Sequence, residues 1–228
     1  MKASVVVPTL NEEKYVGKCL EGLRAQTVRA EIVVADSGST DKTLEISGRL
    51  ADKVIAGGIR NIGQNRQKGA EAASGGIVIT TDADCVHDKD WVERILRHFQ
   101  DEKVVAVSGP TIPMPEEAVL MDKLCYLVGN TTLWLFHKFG VVWFRGSNAA
   151  YRKDAIISAG GYNTQMAARE DSDLSQRVAK LGKTVFDPKI VVKTSMRRRR
   201  SMGWAKTLRY YIDTPIALIT KKAYYKKT

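Results

Sequence analysis

The sequence predicts an α/β fold with a mainly parallel sheet that carries helices on both faces. Short β-branched runs, of which residues 5–7 and 31–35 come first, alternate with segments in which apolar residues recur at helical spacing. With 228 residues and 44% hydrophobic content, the chain is large enough to bury a full core in one domain. Together these observations exclude a chain that is disordered over its whole length.

The first strand, the helix after it and the second strand form a β-α-β unit. The helical spacing between the two strands is that of Tyr15, Cys19, Leu20 and Leu23. We expect Asn11 to cap this helix, because its side-chain oxygen can accept a backbone N–H of the first turn. Glu12 and Glu13 would then lie in that turn, where the helix dipole favours acidic side chains.

The same alternation continues along the chain. Ser39 or Thr40 is expected to cap a second helix that ends near Leu50. The next regular elements are predicted as strands at 53–56, 76–81 and 104–108 and as helices at 61–73 and 90–99. A Pro-containing break at 109–115 follows, and beyond it we expect a helix at 171–181 and short strands at 184–186 and 190–192.

The excess positive charge is confined to the C-terminal part of the chain. Residues 189–228 contain twelve Lys or Arg and a single acid, Asp213, which accounts for the whole net charge of +11. Four arginines at 197–200 and lysine pairs at 221–222 and 226–227 are interleaved with tyrosines further on. We expect this tail to contact an anionic membrane surface, at about 1 kcal/mol per basic residue near the lipid. Nucleic acid is the electrostatic rival, which we do not favour, and a solvated tail is the third interpretation.

The cysteines and the N-terminus predict a reducing compartment. Cys19, Cys85 and Cys125 are odd in number and form no Cys-x-x-Cys pair, which predicts free thiols. The apolar run at the N-terminus stops at Pro8 and is too short for a secretory signal. We therefore expect a cytoplasmic protein that associates peripherally with the inner face of a membrane.

Residues 124–144 are rich in large apolar side chains but also contain Asn130, His137 and Lys138. A membrane-spanning helix needs about 20 predominantly apolar residues. We favour an interfacial helix or a helix that covers the acceptor, since Trp134 and Trp143 suit a membrane interface. A plain core helix and a membrane-spanning helix are the alternatives.

Three polar clusters follow predicted strands, at 8–12, 36–41 and 81–84. Ligands of an open parallel sheet bind beyond the carboxyl ends of its strands, so we expect the clusters to meet at one crevice. Asp82 and Asp84 flank one small residue, and their carboxylates suit a hard cation such as Mg²⁺ that also binds substrate phosphates. A solvated turn is the alternative for this pair, and helix capping is the alternative for the clusters.

Longer motifs then connect the chain to a known family. The three motifs of the N-terminal half are Val-Val-Val-Pro-Thr-Leu-Asn-Glu-Glu at 5–13, Val-Val-Ala-Asp-Ser-Gly-Ser-Thr-Asp at 33–41, and the segment 66–75 that leads into Asp-Ala-Asp at 82–84. Gly-Ser-Asn-Ala-Ala-Tyr-Arg at 146–152, Gly-Gly-Tyr at 160–162 and Glu-Asp-Ser-Asp-Leu-Ser-Gln-Arg at 170–177 follow. Over roughly residues 3–195 the sequence resembles glycosyltransferase family 2, which implies a GT-A type, Rossmann-like fold.

The resemblance implies a division of the chain and a role for each motif. It implies a GT-A domain at 1–195, with a nucleotide-binding half at about 1–110 and an acceptor half at about 111–195, followed by the basic tail at 196–228. The implied nucleotide-binding residues are Pro8, Thr9, Glu12, Asp36, Arg66 and Asp82. A divalent metal, Mg²⁺ or Mn²⁺, would be held by Asp84 directly and by Asp82. The implied acceptor site contains the base Asp171, its neighbour Glu170, and Gly146, Ser147 and Asn148.

These roles agree with the chemistry of sugar transfer from a UDP- or GDP-sugar to a glycan or lipid-linked acceptor. A sugar hydroxyl is a poor nucleophile, and a carboxylate that accepts its proton contributes about 10²- to 10⁴-fold in rate. The bound cation stabilises the departing nucleoside diphosphate, and one in-line displacement inverts the sugar. The Gln-x-x-Arg-Trp motif of polymerising members is absent from the sequence, so we expect transfer of single sugars.

Other functions remain open from the sequence. A polyprenyl-phosphate sugar synthase would use an acceptor that is already ionised and would not need Asp171. A nucleotidyltransferase on a similar fold would release pyrophosphate instead of a nucleoside diphosphate. A non-catalytic module that binds membrane or nucleic acid is the alternative from another class. The acids at 170–171 also have a structural interpretation, as favourable charges at a helix N-terminus.

Overall fold

The computed structural model describes residues 1–58, 60–166 and 168–203. Its strands are β1 (Ala3–Thr9), β2 (Glu31–Asp36), β3 (Lys53–Ile55), β4 (Ile77–Thr80), β5 (Cys85–His87), β6 (Val104–Ser108), β7 (Thr111–Pro113), β8 (Ala149–Arg152), β9 (Lys183–Phe186) and β10 (Val192–Thr194). Its helices are α1 (Val16–Arg24), α2 (Thr43–Leu50), α3 (Ile62–Ala72), α4 (Trp91–His98), α5 (Leu120–Lys138), α6 (Lys153–Ser158) and α7 (Glu170–Val178). Residues 197–203 are helical as well.

The main sheet has seven strands in the order β3-β2-β1-β4-β8-β6-β9. All its neighbouring pairs are parallel except those of β8, which runs antiparallel to β4 and to β6. A second sheet of three strands, β5-β10-β7, packs beside it. The mainly parallel α/β fold predicted from the sequence is therefore confirmed, and the small second sheet is an addition to it.

The hydrophobic core lies on both faces of the main sheet. Successive strand residues point to opposite faces, so Val5 and Val7 pack with the apolar residues of α1 and α4. Val6, between them, packs on the other face with residues of α3, α6 and α7. Each such fully buried side chain stabilises the fold by roughly 1.5–3 kcal/mol. A strand that is buried on both faces consists of consecutive apolar residues, which is why the β-branched runs of the sequence predicted this strand correctly.

Two predicted helix caps are wrong, for the same physical reason. Helix α1 begins at Val16, and Asn11 instead has a φ of 54° and accepts the backbone N–H of Thr40. Helix α2 begins at Thr43, whose N–H is accepted by Asp41. The polar side chains after β1 and β2 bind each other across the gap between the strands, so they are not free to cap the helix that follows.

Helix α5 is largely exposed, since Asp122 and Leu133 are its only buried residues. The plain core helix considered for residues 124–144 is therefore wrong. Leu120, Leu124, Leu127 and Leu135 recur on one face and are all exposed to solvent. Within the ranges that the structure describes, every helix lacks the length and apolar character needed to cross a membrane.

Candidate active site

The carboxyl ends of β1 and β2 form one hydrogen-bonded loop pair around Asp36. This carboxylate is buried and accepts the backbone N–H groups of Gly38 and Ser39 through Oδ1, at 2.8 and 2.7 Å. Its Oδ2 accepts the hydroxyl groups of Thr9 and Ser39, at 2.8 and 2.5 Å. Pro8 and Thr9 are the last two residues of β1 and pair with Ala35 and Asp36 of β2. Asp36 therefore fixes the shape of the loops on which the predicted nucleotide pocket depends.

An acidic centre of three carboxylates, Glu12, Asp82 and Asp84, lies at the ends of β1 and β4. The parallel pairing of β1 with β4 brings Glu12 close to the two aspartates, although about seventy residues separate them in sequence. Burial raises the pKa of Asp84, and the Asp82 charge raises it further. Burial also raises the pKa of Glu12, with both aspartates adding to the effect. The centre therefore holds crowded negative charge that a cation would stabilise.

Arg197 supplies one such cation from the C-terminal segment. Its Nε donates to Asp84 Oδ2 at 2.8 Å and its Nη2 donates to Glu12 Oε1 at 2.5 Å. The guanidinium carbon also lies 4.8 Å from the centre of the Tyr15 ring. These pairs oppose the upward pKa shifts of Asp84 and Glu12. The second oxygen of Glu12, Oε2, is buried and has no hydrogen-bond partner among the described residues.

Arg66 of α3 joins the acidic centre to the acceptor half of the domain. Its guanidinium group is 3% exposed, donates to Asp82 Oδ1 at 2.6 Å, and forms an ion pair with Glu170 Oε1. The backbone of Gly146 packs on the same group so closely that a Cβ there would overlap it. Burial raises the pKa of Glu170, Asp171 raises it further, and Arg66 opposes both. The predicted nucleotide-binding Arg66 is thus buried between two carboxylates.

Asp171 lies in the first turn of α7, next to Glu170 but partly exposed. Its Oδ2 accepts the N–H of Gly146 at 2.7 Å and its Oδ1 accepts the N–H of Ser172 at 2.7 Å. The two predicted catalytic acids therefore have different surroundings. Glu170 is buried against Arg66, whereas Asp171 is partly exposed and is held by backbone donors.

The three residues predicted to bind the acceptor, at 146–148, also differ in their surroundings. Gly146 contacts both Arg66 and Asp171, and Ser147 is partly exposed beside it. Asn148 is 0% exposed, and its amide bonds the Trp91 indole and the carbonyl oxygens of Pro110 and Ile190. The side chain of Asn148 therefore fixes the loop, and the acceptor-binding role predicted for Asn148 stays a prediction.

The residues of the acidic centre fit a hard divalent cation. Ligand atoms of Asp82, Asp84 and Cys85 lie within 4.8 Å of one another. Burial raises the pKa of the Cys85 thiol, which keeps it protonated and a poor ligand. Asp82 and Asp84 each engage one carboxylate oxygen in an arginine pair, and the second oxygen of Asp84 has only a weak contact with the Cys85 thiol at 4.0 Å. Oxygen ligands are what Mg²⁺ and Mn²⁺ prefer.

Sequence reasoning missed the part that the C-terminal segment takes in this site. Ser195 donates its N–H to the Asp84 carbonyl, and its hydroxyl binds Glu117. Arg199 forms an ion pair with the buried Asp122 of α5. From the sequence, the four arginines at 197–200 are predicted to belong to a tail beyond the domain. The one feature of the sequence that pointed elsewhere was the cluster of acidic residues in the predicted site, which needs positive charge to balance it. Trp204 and the basic and tyrosine residues that follow lie outside the described residues.

Comparisons with known protein families and sequences agree on one family. The family model for glycosyl transferase family 2 matches residues 4–159. A glucosyl-dolichyl phosphate glucuronosyltransferase of Haloferax volcanii is 29% identical over 194 residues, which are 78% of this chain and 61% of the relative. The succinoglycan biosynthesis protein ExoA of Rhizobium meliloti is 29% identical over 210 residues, 84% of this chain and 61% of its own length. The chain therefore spans about three fifths of these curated relatives.

Solved structures share the fold. A mannosyltransferase of Pyrobaculum calidifontis, in complex with GDP-Man and Mn²⁺, superposes with a TM-score of 0.67 at 23% identity, over 84% of this chain and 56% of its own. The S. aureus TarS fragment 1–349, in complex with UDP-GlcNAc, gives 0.65 at 20% identity, over 86% of this chain and 58% of its own. These likenesses show the GT-A type of fold that the motifs implied.

Proposed function

The chain belongs to glycosyl transferase family 2, and on that premise we propose that it transfers one sugar from a nucleotide-sugar donor to a hydroxyl group of a glycan or lipid-linked acceptor. The proposed donor is a UDP- or GDP-sugar, and the reaction is metal-dependent and inverting. The observation that carries the proposal is the chain of ion pairs from Asp82 through Arg66 to Glu170, which ends beside Asp171. This connection supports the proposal, because it links the acidic centre to the neighbourhood of Asp171 through one buried arginine.

The names of the relatives and neighbours support the substrate classes. The Haloferax volcanii relative is named for a glucosyl-dolichyl phosphate, which is a lipid-linked acceptor. The two solved neighbours carry GDP-Man with Mn²⁺ and UDP-GlcNAc. Because this chain spans only part of the relatives' length, the donor and acceptor classes are proposed for it by likeness.

In the donor half, we assign Asp36 and Thr9 to the shape of the nucleotide pocket and Glu12, Asp82 and Asp84 to its charge. The loops that Asp36 organises flank the acidic centre, so a base bound against them would direct its diphosphate toward Asp82 and Asp84. These two aspartates would hold Mg²⁺ or Mn²⁺. A bound divalent ion stabilises the negative charge that develops on a departing diphosphate.

In the acceptor half, we assign Asp171 as the base and Glu170 as the residue that positions it. Glu170 is buried and paired with Arg66, so its carboxylate is not available to a substrate hydroxyl. Asp171 is partly exposed, and its backbone donors hold it in place before a substrate arrives. Gly146 and Ser147 form the adjoining wall. A single base carboxylate fits one in-line displacement, which inverts the sugar.

The decisive test of the metal assignment is Asp84→Ala. We expect this variant to lose Mn²⁺-dependent release of nucleoside diphosphate from UDP- and GDP-sugars, because the centre loses a cation ligand. The melting temperature should change little, since Asp84 lies beyond the end of β4 and outside the apolar core. Asp154→Ala, on the exposed first turn of α6, is the matched control and should behave as wild type. Full activity of the wild-type protein in chelator would refute the assignment.

We also propose that α5 lies on an anionic membrane surface, where a lipid-linked acceptor would be found. Exposed large apolar side chains cover one side of the helix, and Leu120, Leu127 and Val128 are among the most exposed. An exposed apolar helix face of this kind suits the interface between lipid head groups and acyl chains. Lys123 and Lys138 add positive charge beside it.

Vesicle sedimentation tests this placement. The double variant Leu124→Gln, Leu127→Gln should sediment less with anionic vesicles than the wild type, because it removes apolar area from the lipid face. Ile157→Gln changes an exposed apolar residue on α6, away from this face, and is the control. Truncation after Gly203 removes the remaining basic tail and should weaken the salt-dependent part of binding, since exposed charges are screened beyond about 8 Å at physiological ionic strength. Equal sedimentation of all four proteins would exclude the membrane proposal.

A further inference from the structure

Arg197 places its guanidinium group in the acidic centre that we assign to the divalent cation. We propose that Arg197 is a tethered cation that neutralises this centre in the metal-free protein and competes with the metal for Asp84. The inference rests on the proposed metal site and goes beyond it, because it assigns to this arginine control over how tightly the metal binds.

The contacts of Arg197 are those of a residue held in a defined position. Its side chain is 37% exposed, whereas those of Asp84 and Glu12 are 13% and 12% exposed. One planar group donates to both carboxylates and packs against the Tyr15 ring. Charge-assisted hydrogen bonds from two nitrogens to two carboxylates are shorter and stronger than neutral ones. The ion pairs therefore satisfy two acids that would otherwise repel each other.

The backbone around Arg197 is fixed independently of these ion pairs. The N–H of Ser195 is bonded to the Asp84 carbonyl, and the N–H of Met196 is bonded to Glu117 at 2.8 Å. On the other side, Arg199 is paired with the buried Asp122. Because the segment is anchored at both sides, little conformational entropy is lost when Arg197 binds the acidic centre. The arginine is thus present at a high effective concentration.

A divalent ion and Arg197 cannot both make full use of Asp84. A metal ligated by this carboxylate places two positive charges close to the guanidinium group, and like charges at such distances repel. Metal entry must therefore weaken or break the bond from Arg197 Nε to Asp84 Oδ2. The apparent metal affinity is reduced by the population in which Arg197 occupies the centre. Removing Arg197 removes this competitor and leaves two unpaired acids that attract the cation.

The test measures binding of Mn²⁺ alone to the full chain by calorimetry, with no sugar nucleotide and no turnover. Arg197→Gln should bind Mn²⁺ about tenfold more tightly than wild type, which corresponds to the loss of about one charge-assisted hydrogen bond. Arg198→Gln is the matched control, because Arg198 is exposed and makes the same change of charge one residue away. It should stay within about threefold of wild type.

A second measurement guards against an effect of misfolding. In chelator, Arg197→Gln should melt at a lower temperature than Arg198→Gln, and saturating Mn²⁺ should raise its melting temperature by more. Arg197→Lys keeps the charge without the planar fork and should give an intermediate Mn²⁺ affinity.

The possible results distinguish a failure of the role proposed for Arg197 from a failure of the proposed metal site. Equal or weaker Mn²⁺ binding by Arg197→Gln would overturn the inference, as would equal tightening by Arg197→Gln and Arg198→Gln. If the wild type and every variant fail to bind Mn²⁺, the metal assignment itself fails and the inference fails with it.

Discussion

The Asp171 carboxylate accepts backbone N–H groups from Gly146 and Ser172, so its position is set by the chain and not by a substrate. Glu170, one residue earlier, faces a buried arginine. The two neighbouring acids have separate tasks as a result. Glu170 fixes the start of α7 against α3, whereas Asp171 is the partly exposed carboxylate that we propose as the base.

Replacing Asp171 by Asn separates its chemical role from its structural one. Asparagine keeps the size and one acceptor oxygen for the Gly146 N–H, loses the second acceptor that binds the Ser172 N–H, and cannot take up a proton. We expect transfer to fall by about 10²-fold or more while the affinity for the donor stays close to wild type. Turnover with an acceptor, donor binding by calorimetry and the melting temperature are measured on the same variant.

The control for Asp171→Asn is Asp173→Asn, in the same first turn of α7. Asp173 is also an acid of this turn but is paired with Arg177 and not with Gly146. If the acids matter only as charges at a helix N-terminus, both variants should cost under about 1 kcal/mol and leave turnover within a few fold. Near-normal turnover of Asp171→Asn would exclude Asp171 as the base.

At the scale of helices and strands, the length of the element and the burial of its residues determine whether the sequence can predict it. Strands β1, β2 and β4 are buried on both faces and read as apolar runs, so they were located to within one or two residues. Strands β5 and β7 have three residues each and contain one partly exposed residue, and so they lack a recognisable pattern. The two helix starts were misplaced because the capping side chains bind the neighbouring loop, a long-range contact that local sequence does not encode.

The packing of α3 on β1 gives a prediction at this scale. A Cβ at Gly69 of α3 would overlap Cγ1 of Val6, so the helix approaches the strand as closely as glycine permits. Gly69→Ala gains helix propensity but overpacks the core, and we expect a net destabilisation of about 1–3 kcal/mol. Gly22→Ala in α1 and Gly48→Ala in α2 meet no atom within 4 Å and should stabilise by about 0.4–1 kcal/mol. Urea unfolding of the three variants checks the difference in sign.

For the whole molecule, the site is assembled from segments that are far apart in sequence. The pair between Arg66 and Glu170 spans 104 residues, and that between Arg197 and Glu12 spans 185. Motifs could predict the first pair as members of one site, because both residues belong to segments that resemble the family. They could not predict the second, because a run of arginines after the last strand has the composition of a solvated tail. Only the fold brings residues 195–199 back to the acidic centre.

Two ionisable groups, His87 and Glu31, make the free energy of unfolding depend on pH, and the dependence begins at a higher pH for His87 than for Glu31. Burial lowers the pKa of His87 to about 3, where its neutral ring binds the Thr81 hydroxyl at 2.8 Å. Burial alone would raise the pKa of Glu31, but hydrogen bonds from Lys53, Ser4 and Ser74 outweigh it and lower the value to about 2. In both cases the unfolded chain binds a proton at a pH at which the folded chain does not, so the free energy of unfolding falls as the pH falls.

The pH windows follow from these values. His87 titrates near pH 6.5 in the unfolded chain, so its contribution is complete above that pH and is lost between about 6.5 and 3. The loss is about 1.4 kcal/mol per pH unit, or roughly 2 kcal/mol between pH 7 and pH 5. Glu31 adds a second loss only below about pH 4.5. We expect His87→Gln to flatten the dependence of unfolding free energy on pH between 7 and 5, and to reduce without abolishing the slope between about 4.5 and 3, where Glu31 also titrates. Urea unfolding at a series of pH values measures both slopes, and an unchanged slope between pH 7 and 5 in the variant would show that His87 is not the group that titrates there.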